Sequence, residues 1–270
     1  MVPAYVAEAM RILERAGHEV WTVGGCVRDR LRGQEPSDYD LTTSATPEQM
    51  QELFGEYRCI LAGLAHGTVT PIIDHQPIEI TTFRTESGYH DHRRPTRVVF
   101  TRKIEEDLAR RDFTVNAMAW HPERGLCDPF GGEADLAARM IRAVGEPRRR
   151  FDEDALRILR ALRFAVKLGF AIEEKTAQAM NEAAPTLVHI AAERITAEWR
   201  GILGQSDCAR LYRPFLGIWQ QALPGVALEQ AQELAAPLDF LLRLVLLCYR
   251  SGRDVTERLR LTKAERKRML

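Results

Sequence analysis

The pattern of apolar residues changes character near Arg142. Ahead of that point, short β-branched runs alternate with helical spacing. Beyond it strand-like runs stop, and nearly everything to Leu270 is helical in spacing, with breaks at Gly169, Pro185, Gly204, Pro214, Pro224 and Pro237. Such a break predicts an α+β chain whose sheet is confined to a head at residues 1–140, followed by an all-helical remainder. Within the head, Val6, Met10 and Leu13 share a helix face. His18 to Val23 reads as a strand entering a Gly24-Gly25 turn, and Cys26 to Leu31 as the helix that follows. Leu41 to Ser44 continues the strand that carries Asp38 and Asp40, and Thr46-Pro47 opens a helix with a threonine cap and proline at its first position. The runs Thr68 to Ile73 and Pro77 to Phe83, separated by Asp74-His75-Gln76, predict a hairpin. Glu86 to Pro95 is polar, with glycine and proline, and predicts a loop; Leu126 to Leu136 predicts a turn entering a helix. There is no internal repeat and no low-complexity linker.

Composition narrows the function classes. Apolar residues make up 45%, enough for a real core. The longest apolar run, Phe240 to Cys248, is interrupted by Arg243 and is too short to cross a bilayer. The start of the chain lacks the basic residues and apolar stretch of a signal peptide. Five scattered cysteines without Cys-x-x-Cys spacing predict reduced thiols in a cytoplasmic protein and no zinc site. The 38 basic residues balance 38 acidic ones, which taken globally argues against a dedicated nucleic-acid binder. Locally the balance fails. Arg250 to Leu270 holds eight Arg or Lys against three Asp or Glu, and Arg148-Arg149-Arg150 and Arg93-Arg94-Pro95-Thr96-Arg97 are further basic clusters. Acidic residues gathered at a metal site would mask such patches in the total.

The chemistry-bearing residues begin with Asp38 and Asp40. At i and i+2 of an extended segment both carboxylates face one side, where they can hold Mg²⁺ against a nucleotide's phosphates. Alone the pair is weak evidence, since such pairs more commonly sit in turns as caps. Gly24-Gly25 and Arg28 strengthen the metal reading, because glycines admit phosphate to backbone N–H groups and a guanidinium adds a fork of donors; a simple tight turn and an Arg28-Asp29 surface ion pair are the plain alternatives. Glu79, in Ile78-Glu79-Ile80-Thr81, is either a third carboxylate that assists the metal or deprotonates an attacking hydroxyl, or a residue on the wet face of an alternating strand. In Arg110-Arg111-Asp112-Phe113-Thr114-Val115-Asn116-Ala117, Asp112 can cap the following run and orient Arg111 towards phosphate. His90-Asp91-His92 sits in a polar stretch and is a weak metal motif.

The helical half opens with Phe151 to Phe164. There Asp154, Arg157, Arg160 and Arg163 recur every third residue as one stripe, beside a packing stripe of Leu156, Leu159 and Leu162. A solvated stripe with an Asp154–Arg157 pair is one reading. The other is base recognition: a carboxylate accepts from an exocyclic amine while a guanidinium donates to the neighbouring ring nitrogen, which suits cytosine and adenine and not uracil or guanine. Arg160 and Arg163 would then face phosphate or brace the pair.

At this point the residues resemble a known family, the class II tRNA nucleotidyltransferases, or CCA-adding enzymes, with their poly(A) polymerase relatives. Five motifs in order carry the resemblance over residues about 18–205: Gly24-Gly25-x-Val27-Arg28-Asp29 with Asp38-x-Asp40; Arg110-Arg111-Asp112-Phe113-Thr114-x-Asn116-Ala117; Asp128-Pro129-Phe130-Gly131-Gly132-x-x-Asp135-Leu136; Glu153-Asp154-x-x-Arg157 with Arg160, Arg163 and Phe164; and Glu193-Arg194. The resemblance implies a Mg²⁺-dependent enzyme that adds C, C and A to the 3′ end of tRNA from CTP and ATP and releases pyrophosphate. An A-adding enzyme or a poly(A) polymerase is the alternative within the family, and a non-catalytic RNA-binding remnant the alternative outside it. It implies that Asp38 and Asp40 bind Mg²⁺, that Gly25, Arg28 and Arg111 contact the triphosphate, and that Asp154 and Arg157 template the base with Arg160 and Arg163 beside them. It further implies a nucleotidyltransferase head at 1–140, a helical neck at 141–205 and a partial body at 206–270, and the rest of the family's body and its tail are expected to be missing from this sequence. Arg84 to Pro95, with Tyr89-x-Asp91-x-Arg93-Arg94-Pro95, resembles the flexible element that the family uses to switch from C to A and that CC-adding members lack in working form.

Overall fold

The computed structural model describes residues 2–89, 95–224, 226, 238–251, 256 and 259–269. Two compact units make up the chain, one formed by Met1–Gly88 and Pro95–Ala138, the other by Tyr89–Arg94 and Arg139–Leu270.

In the first unit α1 (Ala4–Arg15) precedes β1 (Val20–Val23), α2 (Gly25–Leu31), β2 (Asp40–Thr43) and α3 (Pro47–Leu53). Then come β3 (Cys59–Ile60), β4 (Thr68–Ile73), β5 (Gln76–Pro77), β6 (Glu79–Thr82), β7 (Arg84–Tyr89) and β8 (Pro95–Phe100). The unit closes with α4 (Ile104–Ala109), β9 (Ala119–His121), β10 (Gly125–Cys127) and α5 (Gly132–Ala137). An eight-stranded mixed sheet runs β10-β9-β1-β2-β6-β4-β3, with β5 paired to β4. Its β2–β6 pair is parallel, and the other pairs are antiparallel. Trp21, Val23, Phe83, Ile104, Leu108 and Ala119 form a buried cluster on this sheet.

Local chemistry accounts for the element boundaries. Thr46 caps α3 as expected: its hydroxyl accepts from the Gln49 N–H at 3.4 Å while the Gln49 side-chain Oε1 accepts from the Thr46 N–H at 2.9 Å. The predicted hairpin closes through Asp74 and His75, both at positive φ (49° and 63°), as a two-residue turn between right-twisted strands requires. The stretch from Glu86 differs from the expected loop, because β7 and β8 pair as a separate two-stranded sheet. Thr85 on β7 and Thr96, Val98 and Val99 on β8 favour the pleat, while Gly88 takes φ 73°, where a Cβ would collide with the Thr96 hydroxyl. His90-Asp91-His92 and Arg93-Arg94 lie outside the described residues.

The second unit contains β11 (Met140–Ile141), α6 (Pro147–Glu153), α7 (Leu156–Leu168), β12 (Ala171–Ile172), α8 (Glu174–Ala183), α9 (Ala192–Leu203), α10 (Leu216–Ala222), α11 (Phe240–Ser251) and α12 (Lys263–Met269). Among the described residues its only strands are the parallel two-residue pair β11–β12, which is too short to leave a period in the sequence. Trp199, Trp219 and Tyr212 are fully buried in its core, with ring centroids 4.5 Å apart for the two tryptophans and 4.8 Å for Tyr212 and Trp219. The helix expected to run unbroken from Phe151 is split at Asp154, which is extended at φ −145°. Its side chain accepts from the Leu156 N–H at 3.0 Å and thereby starts a new helix instead of continuing the old one. No helix among the described residues is long and apolar enough to cross a membrane.

Candidate functional site

The register of β2 on β6 sets Asp40 directly opposite Glu79. Alternation along the strand then divides the labour. Tyr39 and Leu41 are 8% and 1% exposed, while Asp38 and Asp40 turn outward into a cleft of about 800 Å³ that Glu79, Arg84 and Arg110 also line. The Asp38 carboxylate accepts from the Ser37 hydroxyl at 3.0 Å. Asp40 opens onto the cleft but is crowded by protein, and that desolvation, together with the charges of Glu79 and Asp38, pushes its pKa up to about 6 against the pull of Arg111. Glu79 does occupy the wet face of an alternating strand, and that wet face is the cleft. The structure thus places Glu79 on the wet face of its strand, among the residues that line the cleft.

The second group of residues surrounds the glycine turn. Gly24 sits at φ 79° and ψ −125°, donates its N–H to Met118 O at 3.2 Å and leads into α2. A Cβ on Gly24 would stand 3.3 Å from Arg111 Nη1, so the arginine lies directly against the turn. Arg111 Nε is buried and has no hydrogen-bond partner within the chain. Arg28 is 3% exposed and faces inward: it donates to both oxygens of Asp29 at 2.9 and 3.0 Å and to Asn116 Oδ1 at 2.6 Å. Asp112 accepts from Phe113 N–H at 2.8 Å and from Asn116 Nδ2 at 3.3 Å, which fixes the amide that holds Arg28. The carboxylate on Arg111 is Asp107, four residues earlier on α4, at 3.3 Å. Asp107 was invisible as a site residue because its i,i+4 spacing to Arg111 looks like an ordinary helix pair. Gly24→Ala is expected to cost about 1–3 kcal/mol through the forced positive φ and to displace Arg111. Thermal unfolding together with triphosphate binding checks this.

In the second unit, the arginines expected on one stripe each have a carboxylate or ring, and Arg157 is not paired with Asp154. Asp154 is gripped by Arg194, Nη2 to Oδ2 at 2.7 Å and Nη1 to Oδ1 at 3.3 Å. Arg157 is 9% exposed and donates to Glu153 Oε2 at 2.9 Å and Arg150 O at 3.2 Å. Arg163 donates to Glu198 Oε2 at 2.6 Å and lies 4.4 Å over the Phe164 ring, with Arg160 5.4 Å from the same ring. The split at Asp154 is the physical reason: it releases that carboxylate from the helical stripe and turns it towards α9. Gly201 on α9 makes room for Arg163, whose Cδ would stand 2.4 Å from an added Cβ. Gly201→Ala is expected to cost about 1–3 kcal/mol and to break the Arg163–Glu198 pair, readable as a lowered melting temperature.

Comparison with known proteins places this geometry. Over its whole length the chain matches the crystal structure of the Bacillus stearothermophilus CCA-adding enzyme in complex with CTP, with a TM-score of 0.87 and 37% identity, and covers 69% of that chain. The chain belongs to the family of the CCA-adding enzymes and poly(A) polymerases. A family profile described as "Poly A polymerase head domain" matches residues 20–142, and one described as "Probable RNA and SrmB- binding site of polymerase A" matches residues 169–227. The CCA-adding enzyme of Geobacillus sp. (strain WCH70) is 48% identical over 194 residues, which is 72% of this chain and 48% of the relative. That of Limosilactobacillus reuteri (strain DSM 20016) is 46% identical over 244 residues, 88% of this chain and 59% of the relative. The chain thus spans about half the length of the curated relatives it matches. A tRNA nucleotidyltransferase solved with a primer tRNA and an incoming ATP analog is 26% identical at a TM-score of 0.78, with 97% of this chain and 82% of that one covered.

Proposed function

We propose that the chain is a template-independent tRNA nucleotidyltransferase that adds C, C and A to the 3′ end of tRNA from CTP and ATP and releases pyrophosphate. The observation that carries this reading is the convergence of Asp38, Asp40 and Glu79 on one cleft of a chain in this family. In this reading residues 1–140 are the catalytic head, 141–205 the neck that selects the base and 206–270 part of the body, and the protein works in the cytoplasm.

Asp38 and Asp40 would hold Mg²⁺. Two carboxylates on one strand face suit it, because Mg²⁺ takes one or two carboxylates and completes its shell with water and substrate phosphates. The raised pKa of Asp40 supports the assignment, since desolvation and the charges of Glu79 and Asp38 outweigh the pull of Arg111 and leave negative charge that a divalent ion would neutralise. When bound, the ion neutralises the triphosphate and the charge developing on the transferred phosphoryl group. Arg111, whose Nη1 lies against Gly24, would contact the triphosphate at the glycine turn, and Arg28 and Asp112 keep that turn in shape. Glu79 stands ready to accept the proton of the attacking 3′ hydroxyl or to assist the metal. Asp154 and Arg157 select C and A, with Arg194, Arg160 and Arg163 bracing them.

Labelled CTP and ATP incubated with tRNA lacking its 3′ CCA test the reading: C, C and A are expected in that order. Incorporation of UTP or GTP at comparable rates would sink the selection claim. The profile named for poly(A) polymerase keeps a second reading in view. Long A tails would mark a poly(A) polymerase, and A added only to tRNA ending in CC would mark an A-adding enzyme.

A further inference from the structure

Asp107 is 0% exposed, and every polar edge of its carboxylate is committed. Oδ1 accepts from the Arg84 N–H at 3.2 Å and from Arg110 Nε and Nη2 at 3.0 and 2.8 Å. Oδ2 accepts from Arg111 Nη2 at 3.3 Å, and the Thr42 hydroxyl, whose proton also points to Thr81 O at 3.1 Å, lies 3.4 Å from it. These partners come from three separate parts of the unit: Thr42 from the strand that begins with Asp40, Arg84 from the start of β7, and Arg110 and Arg111 from the end of α4. A buried carboxylate is tolerated only when its charge is matched, and here burial pushes its pKa up while Arg110 and Arg111 together hold it below the usual carboxylate range.

The two arginines depend on it unequally. Arg110 also donates to Glu86 at 3.3 Å, so it has a second anchor. For Arg111, Asp107 is the only carboxylate within ion-pair distance among the described residues, while Nη1 lies against Gly24 and Nε has no acceptor. We infer that Asp107 is a positioning residue for triphosphate binding, which holds Arg111 at the glycine turn and ties that arginine to the Asp40 strand and the base of β7. It touches no substrate itself and acts through Arg111. The inference rests on the triphosphate reading of the Gly24-Gly25 turn given above.

Inorganic tripolyphosphate and cytidine, each titrated against the intact chain, separate a positioning role from a structural one. Asp107→Asn keeps the shape and removes the charge. It is expected to weaken tripolyphosphate binding about tenfold, the size of a lost charge-assisted hydrogen bond, and to leave cytidine affinity within about twofold. In an Asp107→Asn, Arg111→Lys double variant the two losses should overlap instead of multiplying, since both act on one guanidinium. Should Asp107→Asn fail to fold, Thr42→Val removes the hydroxyl beside Oδ2, together with its bond to Thr81 O, without touching an arginine, and should weaken tripolyphosphate by about twofold while leaving cytidine within about twofold. Wild-type tripolyphosphate affinity in the variant that folds, or an equal loss for tripolyphosphate and cytidine, overturns the role of Asp107. An unmodified chain that binds cytidine and not tripolyphosphate overturns the triphosphate reading instead.

Discussion

Asp40→Ala is expected to abolish nucleotide transfer, with a fall of at least about a thousandfold in labelled CTP incorporation, because the variant loses a proposed metal carboxylate where phosphoryl charge must be neutralised. Most nucleotide binding should survive, since Arg111 and the glycine turn are untouched. Activity equal to wild type would refute the metal assignment. A second readout follows from the pKa. The folded chain holds the Asp40 proton up to about pH 6, whereas a free aspartate releases it near 3.8. Between those values the folded state binds more protons than the unfolded one, so stability falls as pH rises through about 4 to 6 and the penalty is complete above. Asp40 is partly open to water, so the penalty amounts to only about 1 kcal/mol after screening. Asp40→Asn should therefore raise the melting temperature of the metal-free chain at pH 7.5 and leave it unchanged below about pH 4. Mg²⁺ should bind less tightly as pH drops through about 6, because the proton and the metal compete for one carboxylate.

Asp154→Ala is expected to lower kcat/KM for CTP and ATP by about a hundredfold while UTP and GTP change little, so that discrimination collapses towards equality. A carboxylate that accepts from an exocyclic amine rejects a carbonyl in the same place, and alanine does neither. Because Asp154 is paired with Arg194, the partner variant Arg194→Ala is the necessary control. If Asp154 serves only to hold Arg194, both variants will reduce all four nucleotides by the same factor. If Asp154 reads the base, Arg194→Ala will mainly raise KM and leave the ratio of CTP to UTP above that of Asp154→Ala. Measuring kcat/KM for the four nucleotides with both variants decides between the two.

Legibility in the sequence followed the range of the interaction concerned. The Thr46-Pro47 cap, the Asp74-His75 turn and the outward alternation of Asp38 and Asp40 are decided within a few residues, and each was readable. The loop expected over Glu86 to Pro95 rests on its glycine and polar residues, but Glu86 to Tyr89 end one strand and Pro95 begins its partner, a pairing that the β-branched residues just outside the stretch, Thr85, Thr96, Val98 and Val99, favour. The break at Asp154 was missed because helical spacing continues on both sides of it, while the side chain that interrupts it bonds two residues onward. Partners at long sequence distance were least visible. Nothing local to Asp154 announces Arg194, nothing local to Arg163 announces Glu198 or Gly201, and Arg28 finds Asn116 across the unit. Asp107 had local signals to Arg110 and Arg111, but its burial, which gives those contacts their weight, is a property of the packed unit.

The parallel register of β2 on β6 has a consequence for folding fidelity. A slip of one residue along β2 would turn Asp40, and Asp38 before it, towards the interior, and bring Tyr39 and Leu41 out to water. Burying carboxylates without partners is among the costliest errors a sheet can make. The acidic residues of the cleft thus act as a ruler that rejects misaligned strand pairing before any substrate is met.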